Sequence, residues 1–556
     1  MSTANTVKAS RFESARKLWE DAGLRLFAAF SDYQNALSAL EDASYILDTH
    51  PDRRDLLSRI DCHLTNLDST NPRAQLNRLR NRRKAHINTL PIEVLVDLFY
   101  HCIDQAQPVW VTGHTHPNIY RRTTALISVC QQWRSMILDL PALWSLVNLS
   151  VENHHQPNLE LARLWLERSS SAPLHIVLNL EYTYLNTSLP ILVGHASRFR
   201  TLSIVTHCLS NVYKIMSCWF GHGAPGSVTE LSVCVSPWNG SYDSLLPLDV
   251  YKWHSRDKIN SFLRPLRVLR LGHVYLNWDS AAYDDLFELR LETKARIQFK
   301  NLAKILRASP MLLQLTLKDL CFREPIEPLA DPISLPCLRS LYLDNIRPHS
   351  LGRLLRRFEP GLYSVHLNLS ATSLPTDESG NFININGLRP IFPLLRTFVI
   401  STLSLESRCR PDDLGTFLRS LPSLHTLYLH DGRYDTKTLS AMSRSFNKEA
   451  KNPTTATASL RAIHLTGTIQ DEAALKAMVS SYELEQLSLG GQIEIPVSTP
   501  TRRSSFTQSD GLLCELEPSQ ELCTWVSSRI PDSLYCGNSE LHVHTSRLRP
   551  FCWKLW

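Results

Sequence analysis

Thirteen cysteines are spread through the 556 residues, yet no two stand as a Cys-x-x-Cys pair. Many sit among apolar neighbours, as in "SVCV" and "FCW". That pattern reads as free thiols in a reducing compartment, not as a disulfide framework or a zinc site. No uninterrupted run of roughly 18 apolar residues occurs, so no segment is expected to span a membrane. The opening "MSTANTVKASRFESARK" has no apolar signal region. A strong charge excess is also missing. The net charge of +6 is small for this length and does not mark a dedicated nucleic-acid binder.

Catalytic signatures are missing as well. There is no Gly-x-Ser-x-Gly, no His-Glu-x-x-His and no Walker sequence. "GHGAPG" (221–226) fits Gly-x-Gly-x-x-Gly, but a strand cue follows it directly, where a dinucleotide site needs a strand before and a helix after. "HTH" (114–116) and "HVH" (542–544) lack further ligands at metal-binding spacing. No catalytic, metal-ligating or cofactor-binding residue is nominated, and no cofactor is expected.

Hydrophobic residues make up 43% of the chain and charged residues 20%, enough apolar material for a substantial core. The length exceeds what one core usually serves. Residues 11–48 carry an apolar stripe at three- and four-residue steps, from Phe12 and Trp19 to Leu47. Pro51 breaks it, and a shorter stripe follows at Leu56, Ile60, Leu64 and Leu67. The expectation is a helical hairpin or short coiled coil over 11–84. Its end, "RAQLNRLRNRRK", holds six basic side chains and no acid, and reads as a solvated helix face or a nuclear import signal.

Residues 88–145 predict a compact unit of about three helices. Pro91 suits a first helical turn, and Glu93 complements the helix dipole there. Ile92, Leu95, Leu98 or Phe99, and Cys102 are expected to share one face. Leu126, Val129, Cys130, Trp133 and Ile137 mark a second apolar side. A unit this small should lean on its neighbours.

From residue 196 a new pattern recurs: apolar, two variable, apolar, one variable, apolar. "FRTLSI", "VTELSV", "LRVLRL", "LFELRL" and "LLQLTL" begin a series of eleven such units, at intervals of 20 to 38 residues. The last two apolar positions lie two apart, so both point to one side of a strand. One unit cannot bury that side alone, whereas stacked units can. An array over 170–490 is therefore expected, in preference to a doubly wound α/β domain, with an irregular and partly disordered tail over 491–556. The residue between each apolar pair should face the other way, giving the row Ser203, Ser232, Arg270, Arg290, Thr316, Tyr342, His366, Val399, Tyr428, His464 and Ser488.

The stretch "LPIEVLVDLFYHC…LISVCQQWRSMILDLPALWSLVNL" resembles the F-box, in the variant common in fungal F-box proteins with leucine-rich repeats. The matching positions include Leu90, Pro91, Glu93, Leu95, Phe99, Cys130, Trp133, Arg134, Leu143 and Trp144. The resemblance implies an α/β chain: an N-terminal helical region, a small helical F-box, then an irregular leucine-rich-repeat solenoid. It implies a non-catalytic substrate receptor of a cullin–RING ubiquitin ligase, bound to the ligase adaptor and through it to a cullin. Adaptor contacts are expected from Leu90, Pro91, Ile92, Glu93, Leu95, Cys130, Trp133 and Arg134. Target contacts are expected from Arg270, Arg290, Tyr342, His366 and Tyr428. Arg270 and Arg290 would form a basic patch for an acidic or phosphorylated segment of a target protein. The expected location is cytoplasmic, nuclear or both, without membrane or nucleic-acid partners. The alternative is a repeat scaffold with no ligase role.

Overall fold

The computed structural model describes residues 90–104, 118–150, 159–180, 185–235, 254–274, 283–293, 296–322, 332–370, 373–376, 382–406, 409–443, 460–469, 471–493, 520–530 and 532–536, with a few positions before residue 90. The chain divides into two compact units, Met1–Leu95 and Val96–Trp556. In the first unit the described positions between Ser14 and Asp32 are helical. There Arg16 pairs with Glu20 one turn on, at 3.1 Å. The rest of the hairpin expected over 11–84, including the basic run, lies outside the described residues, as do both histidine pairs.

Helix α1 (Ile92–Asp104) is followed by α2 (Asn118–Val129), α3 (Gln131–Leu138) and a 3-10 turn, Pro141–Trp144. The second unit then builds a fourteen-stranded parallel sheet, beside which Arg296–Ile297 and Cys321–Phe322 form a separate two-stranded parallel pair. Its strands are β1 (Leu146–Ser150), β2 (Leu174–Leu180), β3 (Phe199–Thr206), β4 (Glu230–Val235), β5 (Val268–Gly272) and β6 (Glu288–Glu292). They continue with β7 (Gln314–Lys318), β8 (Ser340–Asp344), β9 (Ser364–Leu369), β10 (Val399–Leu405) and β11 (Thr426–Tyr434). β12 (Ala462–Ile469), β13 (Gln486–Ile493) and β14 (Asp532–Cys536) complete it. The fourteen strands lie in space in the order they occur in the chain. A doubly wound sheet reverses direction at a switch point; this one never does.

Helices fill most of the crossovers. Phe299–Ala308 buries Phe299, Leu302, Ala303, Ile305 and Leu306, a one-sided stripe at helical spacing. Pro411–Arg419 starts on proline, with Asp412 and Asp413 in its first turn, where a missing N–H costs nothing and negative charge meets the helix dipole. Ser255, Asp435 and Asp471 each accept a backbone N–H at the start of the helix that follows them.

The paired apolar positions form continuous rows. Leu202, Leu231, Leu269, Leu289, Leu315, Leu341 and Val365 stand in register across β3 to β9. All are 1% exposed or less. The row breaks at Val365/His366, where β10 shifts register: Val365 pairs with Ile400, but His366 pairs with Thr402. Ser401 is the extra residue, as in a β-bulge. Beyond it, Leu367 aligns with Leu403 and Leu427, so the pattern of the later strands is displaced by one pleat. Val399 is opposite Ser364 and does not join the expected row.

The sheet also runs further than 170–490 in both directions. "LVNLS" forms β1, paired with β2. Within the expected tail, helix Gln520–Arg529 buries Leu522 and Val526, and β14 pairs with β13. "GHGAPG" begins in the last turn of helix Leu209–His222 and leads by a turn to β4, so no strand precedes it. Among the described residues no helix is long and apolar enough to cross a membrane.

Trp219 stacks on Phe220 at 4.9 Å and meets the edge of Phe262 at 5.4 Å, fully buried between two successive crossovers. Trp219→Ala is expected to cost about 3–5 kcal/mol of stability, read by denaturant unfolding.

Candidate functional site

Two regions carry the side chains singled out by sequence. In the first unit, Leu90, Pro91, Ile92 and Glu93 are exposed, Ile92 at 56%. Leu95 is not: at 1% exposure it belongs to the core, which corrects its assignment as a docking residue. The stripe along α1 is Leu95, Phe99 and Ile103, each four residues on and each buried. Ile92, Leu98 and Cys102, expected to share that face, are exposed instead.

In the second unit Cys130 caps α3, its thiol accepting the Trp133 backbone N–H at 3.4 Å. The Trp133 ring stands edge-on to Phe99 at 4.8 Å, and Arg134 is exposed. Val129 is 53% exposed, so it is not part of the buried side expected of α2. This helical region is tied to the sheet by an aromatic cluster. Tyr120 and Trp144 each meet Trp165 edge-on at 4.6 Å. The Tyr120 hydroxyl accepts the Asn148 N–H at 2.9 Å and donates to the Asn148 carbonyl, fastening α2 to β1. Trp144 Nε1 donates to the Ile137 carbonyl at 2.7 Å. The dependence on neighbours expected of so small a unit takes this form.

The second region is the polar face of the sheet. Arg270 and Arg290 stand directly opposite each other on β5 and β6. Two like charges so placed repel. The neighbouring glutamates offset this: Glu288 receives Arg270 through two bonds of 2.7 Å, and Glu292 receives Arg290 at 2.9 Å. Both arginines are buried, at 6% and 7% exposure. The expected free basic patch is therefore a buried, neutralised ion-pair ladder, and it gives no ground for an acidic target.

Glu292 also receives Lys318 Nζ at 2.7 Å. Burial alone would raise its pKa, but Lys318 and Arg290 outweigh that and hold it down at about 2. Farther along, Tyr342 stacks on His366 at 4.3 Å and Tyr428 on His464 at 4.2 Å. Burial pushes both imidazoles down to about 4, with His430 adding to the effect at His464. Tyr342 and His366 are cross-strand neighbours, as expected. Tyr428 is not in their row, because the shift in β10 places it in line with Ser404, Asn368 and Asp344.

That second row was missed by sequence. It runs Glu292, Lys318, Asp344, Asn368, Ser404, Tyr428, His464. Its signal was present in "LRLE", "LTLK" and "LYLD": the residue after the second leucine faces the same way as the one between the leucines. Asp344 is buried, which raises its carboxyl to about 6, with Glu406 and Asp319 adding and Lys318 opposing. Among the described residues no group of His, Cys, Asp or Glu is arranged to hold a metal ion. No family model and no curated protein matches the chain.

Glu288→Gln leaves Arg270 buried without its bidentate partner and is expected to cost about 3 kcal/mol or more in denaturant unfolding. His464 has a folded pKa of about 4 against an ordinary 6.5. Its neutral ring contributes stability that is fully present above pH 6.5 and lost as pH falls toward 4. His464→Phe keeps a ring against Tyr428 and should flatten the unfolding midpoint across that window relative to wild type.

Proposed function

We propose that the chain is a non-catalytic substrate receptor of a cullin–RING ubiquitin ligase: an F-box-like helical module followed by an irregular leucine-rich-repeat solenoid. The observation that carries the reading is the strictly serial parallel sheet. It is the arrangement expected of stacked leucine-rich units, and it follows directly on the segment whose sequence resembles an F-box. The described crossovers are of uneven length and the register shifts between β2 and β3, β9 and β10, and β11 and β12, which suits the irregular repeat lengths of this variant.

The helical module supports the adaptor role through its exposed side chains. Leu90, Ile92 and Val94 are between 37% and 56% exposed in the first unit. Large apolar groups left uncovered in a small module mark an interaction surface. Pro91 and Glu93 lie beside them, exposed. Arg134 is exposed on α3, while Cys130 and Trp133 act mainly within the module through the cap and the Phe99 contact. Leu95 is assigned to folding.

The mechanism is positional. One end of the chain holds the ligase adaptor and the sheet holds a target protein. Tethering raises the effective concentration of target lysines near the charged ubiquitin carrier without any chemistry from this chain. A repeat scaffold without a ligase role is the second reading. It shares the sheet but leaves the exposed apolar groups of the helical module without an adaptor to cover them.

Co-purification of the full chain with the adaptor and a cullin tests the first reading, and folded protein that recovers neither overturns it. Leu90→Ala with Ile92→Ala should lower adaptor recovery at least tenfold, about 1.4 kcal/mol or more of binding energy, with an unchanged circular dichroism spectrum. Leu95→Ala should instead lower the unfolding midpoint.

A further inference from the structure

The charges of the sheet's polar face are unevenly distributed. Its cations gather on β5 to β7, and glutamates occupy all of them: Arg270 by Glu288, Arg290 and Lys318 by Glu292. Beyond them, Asp344 on β8 and Glu406 after β10 converge on the side chain between them. Asn368 of β9 donates its amide nitrogen to Asp344 at 2.7 Å and to Glu406 at 3.0 Å. Among the described residues neither carboxylate lies in salt-bridge contact with a cation.

The orientation of this amide is set by chemistry. Two carboxylates face it, so the donor nitrogen must point toward them. The Asn368 oxygen is thereby left, among the described residues, without a hydrogen-bond partner although the residue is only 5% exposed. Two residues earlier on the same strand, His366 Nδ1 is likewise buried without a partner. Buried acceptors are almost always paired. Here two carboxylates and an orphaned amide oxygen stand together, with no metal-binding arrangement among the described residues.

We propose that Asp344, Asn368 and Glu406 form a binding site for a cationic side chain, a lysine or arginine. An alkylammonium or guanidinium group has several donors and no acceptor. It would satisfy both carboxylates and the amide oxygen together. Under the receptor reading, on which this assignment of the occupant rests, the side chain belongs to the captured protein. The target segment is then basic at this point, the reverse of what the arginines of β5 and β6 suggested from sequence.

Burial, together with Glu406 and Asp319, raises the Asp344 carboxyl to about 6 in the empty site, so it is ionised above that pH and protonated below it. The groups around it are Lys318 and Asp319 at the end of β7, Tyr342 on its own strand, His366 and Asn368 on β9, and Glu406 after β10. Lys318 is drawn to Glu292, and His366 is neutral above about pH 4. Only Asp344 among the groups with a resolved shift therefore changes charge near pH 6. A cation binds the ionised form, so binding strengthens as pH rises through 6.

The test uses the full chain and N-acetyl-lysine methylamide, with the norleucine analogue as an uncharged control, followed by probe line-broadening in NMR. The lysine probe should bind at pH 7 and about tenfold more weakly at pH 5, the ratio expected for a group titrating near 6. Asp344→Asn should weaken binding at pH 7 and abolish the pH dependence, and Asp344→Asn with Glu406→Gln should abolish binding. No binding at pH 7, equal binding of the norleucine analogue, or undiminished binding by the double variant overturns the proposal. The wild-type pH dependence decides the matter even where a variant fails to fold. Adaptor recovery is a separate measurement, so failure of this site and failure of the receptor reading are distinguishable.

Discussion

A strand in this sheet has one apolar side, and that side is covered only when its neighbours are in place. The rows led by Leu202 and Ile204 make this visible: each residue is sealed by the ones beside it in register and by the crossover helices. Stability is therefore a nearest-neighbour property, and the two ends of the row need special treatment. At one end the aromatic group of Tyr120, Trp144 and Trp165 closes over β1. At the other, Leu522 and Val526 of the last described helix, and Ile530 just after it, are buried beside β14. The helical module is thus both an end-piece for the sheet and, in the reading favoured above, its connection to a ligase.

The same stacking that seals the leucines brings side chains on the opposite face into register, whatever their charge. Arg270 and Arg290 are forced together because their strands are adjacent. Their glutamates restore neutrality, so much of the ionic chemistry on this face serves the sheet itself. What is left over is more informative about function. Asp344 and Glu406 share one amide hydrogen-bond donor group between them, and among the described residues neither forms a salt bridge with an arginine or lysine.

The repeating apolar triplet announced the strands, their common direction and their serial order. Leu315 and Leu317, or Leu341 and Leu343, are buried where the spacing placed them. Burial of the residues between them was not legible, because a lone arginine in "VLRLG" looks solvated until the next strand supplies Glu288. The register shift was equally hidden. "LRTFVI" matches the pattern as well as its neighbours do, and only pairing reveals that Ser401 is surplus. In α1 the spacing allowed either Leu98 or Phe99 on the buried side, and packing chose Phe99. β1 was legible only as a short alternating run at the end of "DLPALWSLVNLS", outside the expected array, and β14 escaped notice because it has only part of the triplet.

The surplus residue in β10 behaves like a stacking fault in a crystal. From β3 to β9 the strands pair residue for residue, yet the strands beyond the fault are out of step with them by one pleat. A substitution cannot heal such a fault, since no side chain changes the count of residues along a strand. Only a deletion in β10 could remove the extra residue, and even then Thr402 would stay opposite His366 and Ser404 opposite Asn368, so Tyr428, His464 and Ser488 would keep the line of Asp344. The polar face is for this reason two surfaces joined at a seam, and the boundary between them is written in length, not in composition.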